Sequence, residues 1–212
     1  MGISPGSRQT QGPYRPIVAF DFDGTLTVRD SFTAFLRWRA GPRAYATGRL
    51  KLAPAALLYL FDHDRGRLKA AAAKVFLGGM TRDEIAAEAR AFAEEYARKL
   101  LRPDALRVWR GWQAQGARTA IVTASPDILV APFARGLGAE ALIGTPLEFD
   151  ADDRFTGRLA GTNCRGPEKV RRLREVFGEG MRLEAAYGDT DGDREMLAVA
   201  AEQGFKVFRG TP

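Results

Sequence analysis

The sequence predicts an α/β protein: a parallel sheet flanked by helices, with an all-helical segment inserted after the first strand. Three observations carry that expectation. Short apolar runs that end in polar residues recur at 17–20 (IVAF), 119–123 (TAIVT) and 183–189 (LEAAYGD). Helical patterns separate them, several closed by glycine, the usual C-terminal stop. The stretch from about 32 to about 103 breaks the alternation and reads as helix throughout.

In chain order, residues 1–15 are polar and rich in Gly, Ser and Pro, and are expected to form a disordered lead-in without the apolar region of a signal peptide. IVAF begins a core unit expected over 16–31 and 104–212. Residues 32–103 form the expected helical cap, with helices in SFTAFLRWRA, PRAYATGRLKLAPAALLYLF, GRLKAAAAKVFLGG and TRDEIAAEARAFAEEYARKLL. Thr81 and Glu84 have the spacing of a capping box for the last of these. The core then continues with helices in PDALRVWRGWQAQG, SPDILVAPFARGLG, GPEKVRRLREVFG and DGDREMLAVAAEQG, and FKVF (205–208) is a further strand candidate.

Composition narrows the chemistry. A net charge of +6 and a pI near 9.8 favour anionic partners: phosphorylated metabolites or an anionic membrane surface. No basic run studded with aromatics marks a nucleic-acid module, so no nucleic-acid partner is expected. A single cysteine suits a reducing cytosol, and one histidine beside it makes no zinc set, so any metal must take oxygen ligands, as Mg²⁺ does. Cys164 is expected to be a half-buried small residue, His63 a surface loop residue, and Trp38, Trp109 and Trp112 core residues.

In an open parallel sheet, ligands bind outside the carboxyl ends of the strands. There the sequence places Asp21 and Asp23, Thr123, and Asp189 followed by Asp193 in GDTDGD; Lys169 opens the helix before the third strand. Carboxylates gathered in one place repel one another unless a divalent cation sits among them, whereas Lys169 and the Thr123 hydroxyl suit an anion. Metal plus phosphate is the economical reading. Asp21 is then the nucleophile that forms an aspartyl-phosphate, and Asp23 the acid and base on the leaving oxygen and the water. Gly24 permits the turn, while Thr123, the Ala124 N–H and Lys169 hold phosphoryl oxygens. Asp21, Asp23, Asp189 and Asp193 are the candidate metal ligands, Asp193 directly or through water. Asp191 reads as a helix N-cap, and Asp30 as a helix cap or a substrate-facing group, with Arg65 and Arg67 also candidates to face the substrate.

DFDGTL, IVTAS, GPEKV and GDTDGD, in that order, resemble the four motifs of the haloacid dehalogenase (HAD) superfamily of phosphatases. The helical insertion resembles the cap of its phosphoserine phosphatase-like branch. The resemblance implies an Mg²⁺-dependent phosphomonoesterase with a Rossmann-like core. Phosphoserine phosphatases typically carry Glu at Asp30, SGG at residues 123–125 and Asn at Gly192, so the substrate-facing positions depart from that pattern. A nearer resemblance, in FDFDGTL and NCRGPEKV, is to phosphatidylglycerophosphatase C, which implies a lipid phosphate; a small soluble metabolite is the alternative. KLAPAALLYLF lies among Arg43, Arg49, Lys51, Arg65 and Arg67, and two readings stand. It lies in the interface of an anionic membrane, with the protein peripheral at its cytoplasmic face, or it is the cap's own apolar core. A non-catalytic phosphate-binding or membrane-surface module is the remote third reading.

Overall fold

The computed structural model describes residues 15–62 and 65–212; the expectations for residues 1–14 and for His63 lie outside the described residues. These residues form a five-stranded parallel sheet in the order β3-β2-β1-β6-β7, with strands β1 (Ile17–Phe20), β2 (Arg118–Pro126), β3 (Ala141–Thr145), β6 (Leu183–Gly188) and β7 (Ala200–Phe205). The parallel α/β sheet expected from the apolar runs, and the Rossmann-like core that the resemblance implies, are the fold observed.

β1 is central, pairing with β2 from Ile17↔Arg118 to Phe20↔Ile121 and with β6 on its other side. A strand covered on both faces needs apolar residues throughout, and all four of its residues are buried. Val18 and Phe20 point into the core cluster shared with the inserted helices; Ile17 and Ala19 point into a second cluster on the opposite face of the sheet. The chain passes from β1 to β2 and β3 on one side, then returns to β6 and β7 on the other. The carboxyl end of β1 is therefore the switch point where a ligand crevice opens.

Between β1 and β2 run α1 (Ser31–Lys51), α2 (Ala53–Asp62), α3 (Arg65–Leu77), α4 (Arg82–Leu100) and α5 (Pro103–Ala114). Asp30 caps α1 by accepting from the Thr33 N–H (2.6 Å), and Thr81 with Glu84 forms the expected capping box on α4. Gly41 (φ 72°) and Pro42 break α1, and α2 follows after Leu52, so the second expected helix is divided between two elements. Phe35 packs on Phe92, Phe92 on Phe133 of α6 (Asp127–Gly136), and Phe133 on Phe22, with ring centroids 5.3–6.1 Å apart. The inserted helices thus share one apolar cluster with that face of the sheet.

The segment KLAPAALLYLF is mostly not core: Phe61 is 80% exposed, and Leu57, Leu58 and Leu60 are exposed as well. Of FKVF only Phe205 is in a strand. β7 occupies 200–205, where a helix was expected, and only α8 (Arg194–Ala198) precedes it. β7 is an edge strand with Glu202 and Gln203 exposed, so it lacks the apolar run that marks the central strands. Phe208 is apolar because it fills the core, stacking on Phe20 and Tyr187. The antiparallel pair β4 (Leu147–Phe149) and β5 (Phe155–Leu159) carried no periodic signal at three and five residues. It is tied to the insertion through the Phe155 N–H donating to the Met80 carbonyl (2.8 Å).

Trp109 is fully buried, while Leu58 is half exposed. Trp109→Ala should cost about 3–5 kcal/mol in urea unfolding, and Leu58→Ser no more than about 0.5 kcal/mol. A large loss from the second substitution would return that segment to the core.

Candidate active site

The Asp21 N–H still belongs to the sheet, donating to the Tyr187 carbonyl of β6 (2.8 Å), while its side chain stands at the sheet's carboxyl edge. The chain then turns through Phe22–Leu26, with Gly24 at φ 88°. A Cβ at Gly24 would also collide with the Asp189 carboxylate, so glycine is required both by conformation and by this close approach. Thr25 Oγ1 donates to Asp189 Oδ1 (3.2 Å), and behind the turn Arg102 Nε donates to the Thr27 carbonyl (3.1 Å). The Asp23 carboxylate accepts from the Ser31 N–H (2.7 Å), the first residue of α1, and from the Ser125 hydroxyl at the end of β2.

α7 (Pro167–Phe177) starts after Gly166 with Pro167 in its first turn, which brings Lys169 under the sheet edge. Lys169 is 1% exposed and directs its three ammonium protons at Asp21 Oδ1, Asp193 Oδ1 and the Val122 carbonyl, each at 2.6 Å. A further acceptor could bind it only by displacing one of these. Asp193 Oδ2 accepts from the Thr190 N–H and hydroxyl, both at 2.9 Å. The N-cap of that turn is Thr190, which accepts from the Gly192 N–H; Asp191, expected there, pairs instead with Arg194.

Burial dominates the ionisation of these groups. It raises Asp21 to about 7, although Lys169 opposes the shift, and Asp193 and Asp23 add repulsion. Asp23 is raised by burial and then by the charge of Asp30, and Asp189 by burial above all. Asp193 is also penalised by burial, but its contact with Lys169 holds it below the ordinary range. Asp21, Asp189 and Asp193 can each turn one oxygen into a space where all lie within 4.8 Å of one another. An all-oxygen set beside a carboxyl that burial disfavours ionising fits a hard divalent cation. Asp23 lies outside that set, its oxygens turned to Ser31 and Ser125.

A cavity of about 330 Å³ opens over these groups. Asp21, Asp23, Gly24, Thr123, Ala124 and Asp189 all line it, as the sequence placed them. Asp30 caps α1, as one of its two readings expected, and also lines the cavity. Thr123 Oγ1 accepts from the Ser125 N–H (3.0 Å), which leaves its own proton free to be donated. Arg67 is exposed and does not line the cavity, and the expectation for the Arg65 side chain lies outside the described residues. The cation that α3 does deliver is Lys69, donating to the Ala124 carbonyl (3.1 Å) and Ser125 Oγ (3.3 Å). Asn163 and Arg165 join it from the loop before α7. No local signal distinguished Lys69 from the other cations of its helix, although NCRG stood beside a recognised motif. Cys164 is fully buried rather than half buried, its thiol pushed up to about 11 by burial, which leaves it protonated and shielded from modification.

The family model described as haloacid dehalogenase-like hydrolase matches residues 18–198. Protein CicA of Caulobacter vibrioides is 64% identical over 196 residues, 92% of this chain and 88% of CicA. Histidinol-phosphatase of Neisseria meningitidis serogroup C is 26% identical over 132 residues, 59% of this chain and 60% of that protein. A solved structure of phosphoserine phosphatase with a phospho-aspartyl intermediate analogue is 18% identical, with a TM-score of 0.59 over 89% of this chain and 85% of that one. It shares the fold.

The raised Asp21 fixes the sign of a stability effect. Folded protein binds more protons than unfolded between pH about 4 and about 7. The contribution is therefore full below about 4 and lost as pH rises through about 7. Urea unfolding in chelator should show stability falling across this window, and Asp21→Asn should flatten the slope. Parallel slopes in the two proteins would contradict the assignment.

Proposed function

From the premise that this chain belongs to the haloacid dehalogenase-like hydrolases and is a phosphatase, we propose that it hydrolyses phosphate monoesters of small metabolites through a phosphorylated Asp21. The observation that carries this reading is the arrangement of Asp21 and Asp23. One carboxylate stands at the mouth of the cavity beside a buried ammonium. The other is two residues on, held by Ser31 and Ser125 and shifted toward its protonated form. Asp21 Oδ1 is engaged by Lys169, so Oδ2 attacks phosphorus. The bond from phosphorus to the ester oxygen breaks, and Asp23 gives that oxygen its proton. Asp23 then takes a proton from water as the water attacks the aspartyl-phosphate. The bond to Asp21 breaks, and inorganic phosphate leaves. Asp21, Asp189 and Asp193 would hold Mg²⁺, which supplies positive charge against the phosphoryl oxygens. Thr123 and the Ala124 N–H would bind those oxygens, and Lys169 would keep Asp21 and Asp193 poised.

We divide the chain into a core of 16–31 and 104–212 and a cap of 32–103, the latter supported by the uninterrupted run α1–α4. The volume and polar lining of the cavity support a compact leaving group, with an anionic substituent placed against Lys69 and Arg165. A lipid phosphate presented at a membrane is a second reading, favoured by one observation. Exposed Leu57, Leu58, Leu60 and Phe61 adjoin exposed Arg43, Arg49 and Lys51, and residues 31–61 include no Asp or Glu. No helix among the described residues is long and apolar enough to cross a membrane.

Asp21→Asn should abolish turnover of p-nitrophenyl phosphate, and EDTA should do so reversibly. Asp23→Asn should slow alkyl phosphates far more than p-nitrophenyl phosphate, whose leaving group needs no proton. Equal losses on both esters would make Asp23 structural. Leu57→Ser with Leu58→Ser separates the two substrate readings. Loss of turnover on phosphatidylglycerophosphate vesicles, with soluble esters unaffected, is the outcome expected of a lipid phosphatase. Unchanged activity on both leaves the soluble metabolite.

A further inference from the structure

A groove of about 850 Å³ lies away from the catalytic cavity and shares no lining residue with it. Its walls are two helical stripes. α4 contributes Arg90, Ala93, Ala97 and Arg98; α5 contributes Leu106, Arg107 and Arg110, and Leu101 lies between them. These positions recur every three or four residues, so each helix offers one continuous face, and only Leu101–Arg102 joins the two helices. Phe133, Arg135 and Leu137, at the end of α6, close the groove. The floor is apolar, with alanines one turn apart on α4 keeping that wall low, and the rim is cationic. Arg90, Arg98, Arg107, Arg110 and Arg135 are all exposed, and among the described residues none pairs with a carboxylate. Glu94 is the only acidic side chain in the lining.

We propose that this groove docks an acidic amphipathic helix of a protein partner. A single phosphate or nucleotide needs donors that converge on one point. Here the cations are spread out, Arg90 and Arg98 about 12 Å apart along α4 and Arg107 and Arg110 on the facing wall. That distribution matches acidic side chains flanking an apolar stripe two turns long, laid along two helices that leave room for a third. Arginine suits the role because it is weakly hydrated and grips carboxylates with two parallel hydrogen bonds. The site is independent of the phosphatase reaction and would bring the enzyme to a partner rather than take part in turnover.

Fluorescence anisotropy with a labelled helical peptide of about 15 residues tests this. The probe carries leucines at i, i+3 or i+4 and i+7, flanked by glutamates. One control scatters the leucines, and another replaces each glutamate with lysine. Wild-type protein should bind the acidic probe saturably and neither control. Arg98→Glu with Arg107→Glu should weaken the acidic probe about tenfold or more and gain binding of the lysine control, a gain that misfolding cannot produce. Ala97→Trp should block the acidic probe, and p-nitrophenyl phosphate turnover should be unchanged in each variant. The proposal is overturned if the acidic probe does not bind saturably, if the scattered control binds equally, or if the charge-reversed variant fails to exchange its preference. Displacement of the probe by equimolar ATP, or by phosphatidylglycerol vesicles, would assign the groove to a nucleotide or a lipid and overturn it as well.

Discussion

Asp21, Asp189 and Asp193 are brought to one sheet edge dry enough to push one of them to about 7, and the arrangement depends on the buried ammonium of Lys169. Its three protons are consumed by two carboxylates and the Val122 carbonyl, so a single side chain joins β1, β2, α7 and the turn after β6. Removing it would leave two buried carboxylates without their cation, a loss of about 3–5 kcal/mol for a broken buried pair. Lys169 supplies the positive charge that faces Asp21 and Asp193, and that pairing ties the fold to the geometry of the site.

The inserted helices are part of this balance rather than an appendage. The first N–H of α1 donates to Asp23, the residue two places beyond Asp21, so the start of the insertion fixes the orientation of that carboxylate. From the other side α3 sends in Lys69, which contacts the Ala124 carbonyl and the Ser125 hydroxyl, itself bonded to Asp23. Rings from Phe22 through Phe133 and Phe92 to Phe35 make the apolar core continuous between sheet and insertion. Asp23 is thereby held jointly by the insertion and the sheet.

What the sequence by itself determined is the part of the protein that local rules encode. A central parallel strand must be apolar on both faces, so IVAF showed its place. Ligands gather at strand ends, so the polar residues that follow such runs marked Asp21, Asp23, Thr123 and Asp189. Lys169 and Asp193 followed from motif spacing, and the capping box at Thr81 from a three-residue spacing. The tertiary structure decided whatever rests on contacts between distant segments. β7 is a strand because it pairs with β6, despite an exposed polar face, whereas FKVF is apolar because Phe208 is buried. Lys69 rather than Arg67 reaches the cavity because of how α3 is rotated against β2, a quantity set by packing and not by residue type. The same holds for Leu57 and Leu58: their composition suits a core and an interface equally, and only the position of α2, with no described element covering these two side chains, left them exposed.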